Sequence, residues 1–416
     1  MTANSITRSP KKCRDAFLDL YGESLRFNEL KGDIELKNQY LSGDKVAMAY
    51  FELDDKLEIV APKNLAMDAF VMAAKQQSFH PVREYLDGLK QQYAFGLLEP
   101  ADLDTIVSRY LRPGAAGDNE ELYSTYMRKF LIGFVSRQYA PGSKYDYVVV
   151  LQGPGGCRKS TFWSTLIGDG WITDSFKVPS DGEPTAKTLM TIHRFAAIEL
   201  AELGKRVSGR FEATDGIKRF LSATRDDFVP QYGRASESHA RGFVFCGSIN
   251  DGSAFLSDPT GNRRYQIIPV TCTREAPIDT ERLAAERDEI LLAALLAWEA
   301  GESSDLPPHL IALAEEDNAQ YQQETSMLQE VSDYAIRRLL FTGDEVWRDV
   351  FSGEPAAFER HKGMIGRTIA QIPWIRAGQK ARRNGIRVHA YRVDQELLKR
   401  YIEEERIREL NPTDVF

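Results

Sequence analysis

The first hundred residues alternate between two spacings of apolar positions. Residues 33–41 (DIELKNQYL) and 45–54 (KVAMAYFELD) are short, strand-like runs bounded by polar turns. Residues 64–77 (NLAMDAFVMAAKQQ) and 81–98 (PVREYLDGLKQQYAFGLL) instead repeat apolar side chains every three to four positions, which predicts amphipathic helices. We therefore expect a mixed α/β domain over residues 1–105.

The next segment has the pattern of a βα unit. A helical stretch at residues 119–140 leads to a turn, and the run Tyr147–Leu151 predicts a buried strand. A glycine-rich loop follows, and then a helix over residues 159–168 that Gly168 closes. This order predicts a strand, a loop and a helix in direct succession.

Further strands and one long helix complete the central segment. The apolar runs at residues 194–203 and 242–250 are short and β-rich, which favours strands. Residues 279–302 repeat apolar positions with a helical period and begin at an Asp-Thr cap. The predicted fold class is therefore α/β, with a parallel sheet in a domain over residues 106–345.

The C-terminal residues 346–416 combine helices with a basic hairpin. Residues 358–372 have a helical pattern, and Asn384-Gly385 lies between two strand-like runs, which is a strong hairpin signal. The order predicts a winged-helix-like module.

Charge distribution separates this module from the rest of the chain, whose net charge is −8. From Arg360 to Arg392 there are nine Lys or Arg and no Asp or Glu, which favours a polyanionic partner. A solvated basic face is the alternative. The candidate DNA contacts in this segment are Lys380, Arg382, Arg383 and Arg387.

Composition is that of a soluble globular protein, with 43% hydrophobic and 27% charged residues. No run approaches the ~18 apolar residues of a membrane span, and the basic N-terminal start lacks the apolar core of a secretory signal. The cysteines are widely separated and the histidines have no metal spacing, so disulfides and metal clusters are not expected. We expect a cytoplasmic protein with no membrane partner.

The loop after the first central strand carries the main chemical signal. In G-x-x-x-x-G-K-[ST] loops, backbone N–H groups hold phosphates, the lysine adds a charge and the hydroxyl holds Mg²⁺. Here Arg158 stands where the second glycine is expected, which puts nucleotide affinity in question. The candidate nucleotide-binding residues are Gly153, Pro154, Gly155, Gly156, Cys157, Arg158, Lys159, Ser160 and Thr161, with Cys157 expected to be a small filler.

Polar residues at later strand ends supply the other candidates. Glu199 and Glu202 follow an apolar run, where a carboxylate can hold the Mg²⁺ shell together with Ser160 and orient water. Asn250 ends the next apolar run, within reach of a phosphate or its attacking water. Arg263 and Arg264 suit transferring phosphoryl charge, although a solvated basic loop has the same pattern.

The order of these motifs resembles AAA+-type ATPases and superfamily 3 helicases. In detail the chain resembles the virulence-associated protein E (VirE-like) family of phages and genomic islands, most specifically over roughly residues 120–270. The resemblance rests on GPGGCRKST, WITDSF, IELAEL, IKRFLS, PQYGR, FVFCGSIN and TGNRRYQIIPV.

The resemblance implies a Mg²⁺- and ATP-dependent enzyme acting on DNA as a ring, hexameric in form. Lys159, Ser160 and Glu199 or Glu202 would act from one subunit, and Arg263 or Arg264 from the next. The same resemblance implies DNA contacts by Lys218 and Arg234. Phe228 and Tyr232 in that interval are either stacking surfaces or core residues.

A DNA-dependent ATPase of the superfamily 3-like replicative helicase type, from a phage or mobile element in a bacterial host, is therefore the expected function. A DNA-binding replication or regulatory factor with a vestigial nucleotide site is the first alternative, and Arg158 is the feature that supports it. A small-molecule kinase of the phosphate-loop class is the second. Stimulation of ATP hydrolysis by single-stranded DNA is expected only of the helicase.

Overall fold

The structure is a computed structural model of the 416-residue chain. The residues that it describes are 7–114, 119–176, 184–201, 219–230, 233, 235–250, 262–319, 326–354, 358–370, 372, 374–383 and 386–410. The chain divides into two compact units, residues 1–321 and 322–416, and each is described by itself. The three domains expected from the sequence stay a prediction.

The first unit begins with a small mixed sheet covered by helices. Its strands are β1 (Leu25–Asn28), β2 (Asp33–Leu36), β3 (Gln39–Tyr40) and β4 (Ser78–Phe79), in the order β3-β2-β1-β4. Helices α1 (Pro10–Tyr21) and α4 (Lys63–Gln76) pack on it through the rings of Phe17 and Phe70, whose centroids are 4.9 Å apart. The helix expected at 64–77 is present, whereas the single strand expected at 33–41 is two short strands, β2 and β3, that pair antiparallel across a turn at Lys37 and Asn38.

The strand expected at residues 45–54 is wrong. These residues form two short helices, α2 (Gly43–Ala47) and α3 (Ala49–Leu57). Val46, Ala49 and Leu53 are buried, and their spacing of three and four positions places them on one face of a helix. Burial of that face outweighs the β-propensity of the local sequence.

Long helices connect this region to the central sheet. They are α5 (Pro81–Ala94), α6 (Glu120–Tyr139) and α9 (Thr280–Glu299). The side chain of Asp279 caps α9 by accepting the N–H of Arg282 at 2.9 Å, as the Asp-Thr start predicts. Helix α6 is buried along most of its length and packs against α9 in the largest core of the unit.

The described residues form a five-stranded central sheet in which every pairing is parallel. The strands are β5 (Val148–Gln152), β6 (Ile172–Thr173), β7 (Ala197–Ala201), β10 (Val244–Ile249) and β11 (Tyr265–Pro269). Val149 and Leu151 face one core, whereas Val148 and Val150 face the other, so both faces are covered. The α/β class and the parallel sheet are confirmed.

Strand order sets the position of the glycine-rich loop. The sheet order is β11-β5-β10-β7-β6, so both neighbours of β5 come from later in the chain. Helix α7 (Lys159–Ile167) follows the loop after β5, and α8 (Ala186–Ile192) precedes β7. A crevice at the carboxyl ends of parallel strands, where connections diverge, is the usual ligand site of such sheets. The described residues of this unit also form the hairpin of β8 (Arg225–Phe228) and β9 (Glu237–Ala240) and the helix α10 (Pro308–Ala319).

The second unit places helices around an antiparallel sheet. Its strands β12 (Leu340–Phe341), β13 (Ile375–Arg383) and β14 (Ile386–Val393) have the order β12-β14-β13. The helices are α11 (Ser326–Ile336), α12 (Gly343–Asp349), α13 (Phe358–Ala370) and α14 (Gln395–Leu410). The two strands expected to flank Asn384-Gly385 pair antiparallel, although those two residues lie outside the described part.

In the described part of the chain, no helix has the length and apolarity needed to cross a membrane. The four cysteines are all described, buried and unpaired. Cys157 packs in the large core of the first unit, where its small side chain fills space beneath the loop.

Candidate functional site

Two glycines give the loop between β5 and α7 its shape. Gly156 has φ of +85°, a conformation that side-chain-bearing residues adopt at a cost. Gly153 lies against Val270, and a Cβ added there would be 3.0 Å from both the Cβ and the carbonyl oxygen of that valine. The loop therefore passes close to the end of β11 and turns sharply into the helix.

Arg158 adopts the backbone conformation of the glycine that it replaces. It is the N-cap of α7 and has φ of +69° and ψ of +32°, in the left-handed region. That region costs a non-glycine residue about 1–2 kcal/mol. Its exposed guanidinium makes one long hydrogen bond, from NH1 to the Thr280 hydroxyl at 3.4 Å. The turn of the loop is thus kept, with strain at its last residue.

The ammonium group of Lys159 lies inside the loop. The residue is 7% exposed, and Nζ donates to the carbonyl oxygens of Gly153 and Pro154, both at 2.7 Å. It also lies 3.4 Å from Oδ1 of Asn250 and 3.7 Å from Sγ of Cys157. The charge is therefore held at the centre of the loop, where a phosphate would meet it.

Ser160, Glu199 and Ser248 form a polar cluster beside the lysine. Glu199 is 4% exposed, and its Oε1 accepts hydrogen bonds from Ser160 at 2.7 Å and from Ser248 at 2.5 Å. The two serine oxygens are 3.2 Å apart. Burial, with a smaller effect of the Glu199 charge, raises the pKa of the neighbouring Cys246 thiol well above its usual range. The carboxylate is thus fixed in orientation by hydroxyl donors from α7 and β10.

Asn250 follows β10 directly and faces the same loop. Its Oδ1 is near Lys159, and it would lie 3.8 Å from a Cβ placed on Gly155. The structure therefore brings together loop, lysine, serine, Glu199 and Asn250 at the carboxyl ends of three adjacent strands, β5, β10 and β7. Glu202, the other candidate carboxylate, lies outside the described residues.

The arginine pair does not lie at the carboxyl ends of these strands. Arg263 and Arg264 lie in a short turn just before β11, which runs parallel to β5. A five-residue strand spans about 17 Å, and this length separates the arginines from the loop of their own chain. Arg264 bonds Ser222 at 3.0 Å and lies 3.8 Å from Asp146, whereas Arg263 is exposed. The two arginines thus have different surroundings.

The hairpin of β8 and β9 contains part of the basic and aromatic interval. Phe228 is 6% exposed and stacks on His239, with ring centroids 4.0 Å apart, which is the position of a core residue. Arg241, at the base of the hairpin, is 1% exposed and holds Asp226 through two hydrogen bonds of 2.6 and 2.7 Å. Lys218, Tyr232 and Arg234 lie outside the described residues.

The candidate DNA contacts of the second unit lie on its hairpin. Lys380 is exposed on β13 and pairs in register with His389. The same register places Arg382 opposite Arg387 and Arg383 opposite Ile386. Four basic positions are therefore gathered along one end of two adjacent strands.

Sequence reasoning missed two residues that build the loop site. Ser248 lies two positions before Asn250, and a strand places residues two apart on one face, which was the available signal. Trp163 donates from Nε1 to the carbonyl oxygen of Gly247 at 3.1 Å and so fixes α7 against β10. No local pattern marks that contact.

The donor set suits magnesium and a phosphate chain. Hydroxyl and carboxylate oxygens are hard ligands, and Mg²⁺ is commonly held by one or two protein oxygens together with phosphate and water. Ser160 and Glu199 supply such oxygens, while Lys159 and the N-terminus of α7 supply positive charge. Among the described residues, no group of three or more His, Cys, Asp or Glu could hold a metal by itself. The residues therefore fit Mg²⁺ only together with a phosphate-bearing ligand.

Comparisons with solved structures found distant likenesses. The apo C-terminal region of NrS-1 overlaps with a TM-score of 0.46 and 10% identity, covering 93% of this chain and 100% of that one. JCV helicase overlaps with a TM-score of 0.29 and 13% identity, covering 79% and 96%. Both scores are too low to bear on fold or function.

Comparison with curated proteins found no match. The virulence-associated protein E-like domain, in contrast, matches residues 99–325, which are more than half of the chain and include the loop, Glu199 and Asn250. The chain therefore belongs to the virulence-associated protein E-like domain family.

Proposed function

We propose that this protein is a DNA-dependent ATPase, a superfamily 3-like replicative helicase of a phage or mobile genetic element. The observation that supports this most is the convergence of Lys159, Ser160, Glu199 and Asn250 on one glycine-rich loop. These groups come from α7, from β7 and from the end of β10, so their meeting is a property of the fold. The nucleotide domain is proposed to span residues 106–345 with an AAA+-like core.

In this proposal each loop residue has one task. The ammonium of Lys159 moves from the carbonyl oxygens of Gly153 and Pro154 to the phosphates, to which it offers more negative charge. Glu199 and Ser160 hold the metal shell, and Asn250 orients the attacking water or the terminal phosphate. Mg²⁺ held by Ser160 and Glu199 would supply positive charge that offsets the charge of the phosphates.

An arginine from a second subunit completes the proposed site. Arg263 is exposed and far from its own loop, so it is the better candidate for a finger that reaches the next subunit in a hexameric ring. Arg264 already bonds Ser222 and lies near Asp146, and we assign it a structural role. Fingers of this kind contribute about 10³–10⁵ in rate.

DNA is the proposed polyanionic partner. Lys380, Arg382, Arg383 and Arg387 would contact phosphates from the winged-helix-like module over residues 346–416, and Lys218 and Arg234 would do so from the nucleotide domain. Action inside a bacterial host cytoplasm follows from the proposed role in a mobile element.

Two observations favour a second candidate, a DNA-binding factor with a weak nucleotide site. Lys159 is satisfied by loop carbonyls and Arg158 is strained, and both features oppose nucleotide binding. No feature of the site favours a small-molecule kinase.

The test is ATP hydrolysis with Mg²⁺, measured with and without single-stranded DNA, in the native chain and in Lys159→Ala. We expect turnover that DNA stimulates and that the substitution abolishes, since the Lys159 ammonium lies inside the loop whereas the Arg158 guanidinium bonds Thr280 instead. Turnover in the native chain no higher than in Lys159→Ala, with DNA present, would leave the binding factor as the better account.

A further inference from the structure

A cavity lies at the end of the central sheet where strands β5 and β11 begin, opposite the end that carries the loop. Its volume is about 290 Å³, and it is enclosed by the residues before β5, the start of β11, helix α6 and helix α10. Nucleotide-loop residues take no part in it. A volume at the low end of the range for small-molecule sites suits one compact ligand.

The inner end of this cavity has an unsatisfied acceptor. Gln266, on β11, is 2% exposed, and its Oε1 is buried without a hydrogen-bond partner in the described part of the chain. A buried amide oxygen left unpaired is unfavourable, and native structures rarely keep one without a reason. A ligand that donates an N–H or O–H at this depth would satisfy it.

The walls and the mouth differ in character. Tyr126, which is fully buried, and Tyr147 provide aromatic wall, and Leu306 and Ala314 add apolar surface. Lys144 and Arg263 are exposed at the mouth, so positive charge faces solvent there.

Charge at the lining is positive overall. Three basic residues, Lys144, Arg263 and Arg264, stand against two acidic ones, Asp146 and Glu315. Asp146 lies 3.8 Å from Arg264 and offsets part of its charge. The cavity thus has an unpaired acceptor at its inner end and positive charge at its mouth. A ligand with a flat, hydrogen-bonding body and a single anionic group would match both ends.

We propose that this cavity binds a nucleoside monophosphate, with the base between the tyrosines and donating to Gln266, and the phosphate at Lys144. The base carries its N–H as an exocyclic amino group, as adenine does. This site is separate from the loop and does not depend on ATP hydrolysis. The free nucleotide and the 5′-phosphorylated end of a strand share this chemistry.

Calorimetric titration of the full chain with AMP, without Mg²⁺, tests the proposal. We expect one AMP per chain, bound at least tenfold more tightly than inorganic phosphate or adenosine. Gln266→Leu removes the acceptor at nearly constant side-chain volume and should weaken AMP binding at least tenfold. Tyr147→Leu should weaken it as well, and it serves as a second variant should the first fail to fold.

Lys159→Ala is the matched control, because it alters the loop and leaves the cavity intact. AMP binding that persists in Lys159→Ala and falls in Gln266→Leu supports the cavity. AMP binding lost in Lys159→Ala but kept in both cavity variants would overturn it, as would AMP that binds no better than inorganic phosphate.

A competition arm identifies the source of the ligand. Displacement of AMP by a 5′-phosphorylated deoxyadenylate strand, and not by the unphosphorylated strand, assigns the cavity to a strand end. Failure of both strands to displace bound AMP assigns it to the free nucleotide. Either result keeps the site, and ATPase activity, present or absent, has no bearing on it.

Discussion

Ser160 on α7 donates to Glu199 on β7 at 2.7 Å. This hydrogen bond joins the helix after the loop to a strand that lies two places from β5 in the sheet. The same oxygen of Glu199 accepts from Ser248 on the strand between them. Both donors are neutral hydroxyl groups, so they orient the carboxyl group without forming an ion pair with it. This relationship makes the proposed metal-holding role of Glu199 open to a specific test.

Ser248→Ala should weaken the binding of Mg²⁺ without abolishing ATP turnover. Partners that orient metal ligands typically contribute 10–100-fold in metal affinity, so we expect about a tenfold rise in the Mg²⁺ concentration for half-maximal ATPase activity. Glu199→Gln should abolish activity at all Mg²⁺ concentrations. An unchanged Mg²⁺ requirement in Ser248→Ala would show that the serine has no part in holding the carboxylate.

Arg158→Gly should stabilise the loop and leave ATPase activity equal or higher. The left-handed backbone costs arginine about 1–2 kcal/mol, and the greater freedom of glycine in the unfolded chain offsets roughly half of this gain. Arg158→Ala keeps the strained backbone and removes the guanidinium, so it is the control. We expect a higher melting temperature for the glycine variant alone; equal values for both variants would mean that the strain is unimportant.

Assemblies that contain two different variant chains should distinguish the role of Arg263 from that of Arg264. Lys159→Ala and Arg263→Ala chains, each inactive alone, should regain activity when co-assembled, since roughly a quarter of random interfaces would pair an intact loop with an intact finger. Arg264→Ala should instead lower the melting temperature, because it loses its contacts to Ser222 and Asp146. Co-assembled chains that stay inactive would argue against a finger in trans.

Arg382→Glu with Arg383→Glu should weaken DNA binding and its salt dependence. Each phosphate contact contributes about −0.9 to the slope of log affinity against log salt on duplex DNA, so the slope should flatten by about two. The control is Arg337→Glu with Arg338→Glu, which changes the charge equally at two consecutive exposed residues outside the basic segment. Equal losses in the two double variants would indicate a general effect of charge.

Acid should destabilise the first unit through His80. Its Nδ1 accepts the N–H of Arg83 at the start of α5, and burial, aided by the Arg83 charge, lowers the pKa of His80 from 6.5 to about 4. A depressed histidine pKa contributes stability above pH 6.5 that is lost as the pH falls towards 4, because the unfolded chain binds the proton first.

His80→Ser keeps a capping oxygen and removes the titration. The decrease in the free energy of unfolding between pH 7 and 4.5 should be smaller in this variant by on the order of 2 kcal/mol. Urea unfolding at both pH values measures it. Identical pH dependence in the two proteins would assign the acid sensitivity to other groups, such as His193, whose pKa burial also lowers.

The sequence predicts the loop and its flanking strand and helix because each has a local cause. β-Branched residues, glycines and a helical repeat lie in direct succession from Tyr147 to Gly168. The α2–α3 error shows the limit of that approach, since only tertiary burial of Val46, Ala49 and Leu53 decides between strand and helix. The roles of Ser248 and Trp163, and the partners of Arg264, likewise depend on contacts between distant segments.

The cavity around Gln266 could not be predicted from local pattern. A glutamine inside an apolar strand has no sequence signal that says whether its amide oxygen will find a partner. Its lining comes from segments near residues 126, 147, 264 and 314, and their meeting is set by sheet order and by the packing of α6 and α10. Such sites become visible only when the chain is folded.

The position of β5 between β10 and β11 has a consequence for synthesis of the chain. Val148 pairs with Phe245 on one side and with Tyr265 on the other, so the strand that leads into the loop finds no partner among the residues that emerge before it or soon after. Pairings this remote in sequence form slowly, because a long loop must close before any contact rewards it. A ribosome must therefore release nearly the whole first unit before the apolar run Val148–Leu151 can be covered. Until then that run has no strand partner on either side, and unpaired apolar strands favour aggregation.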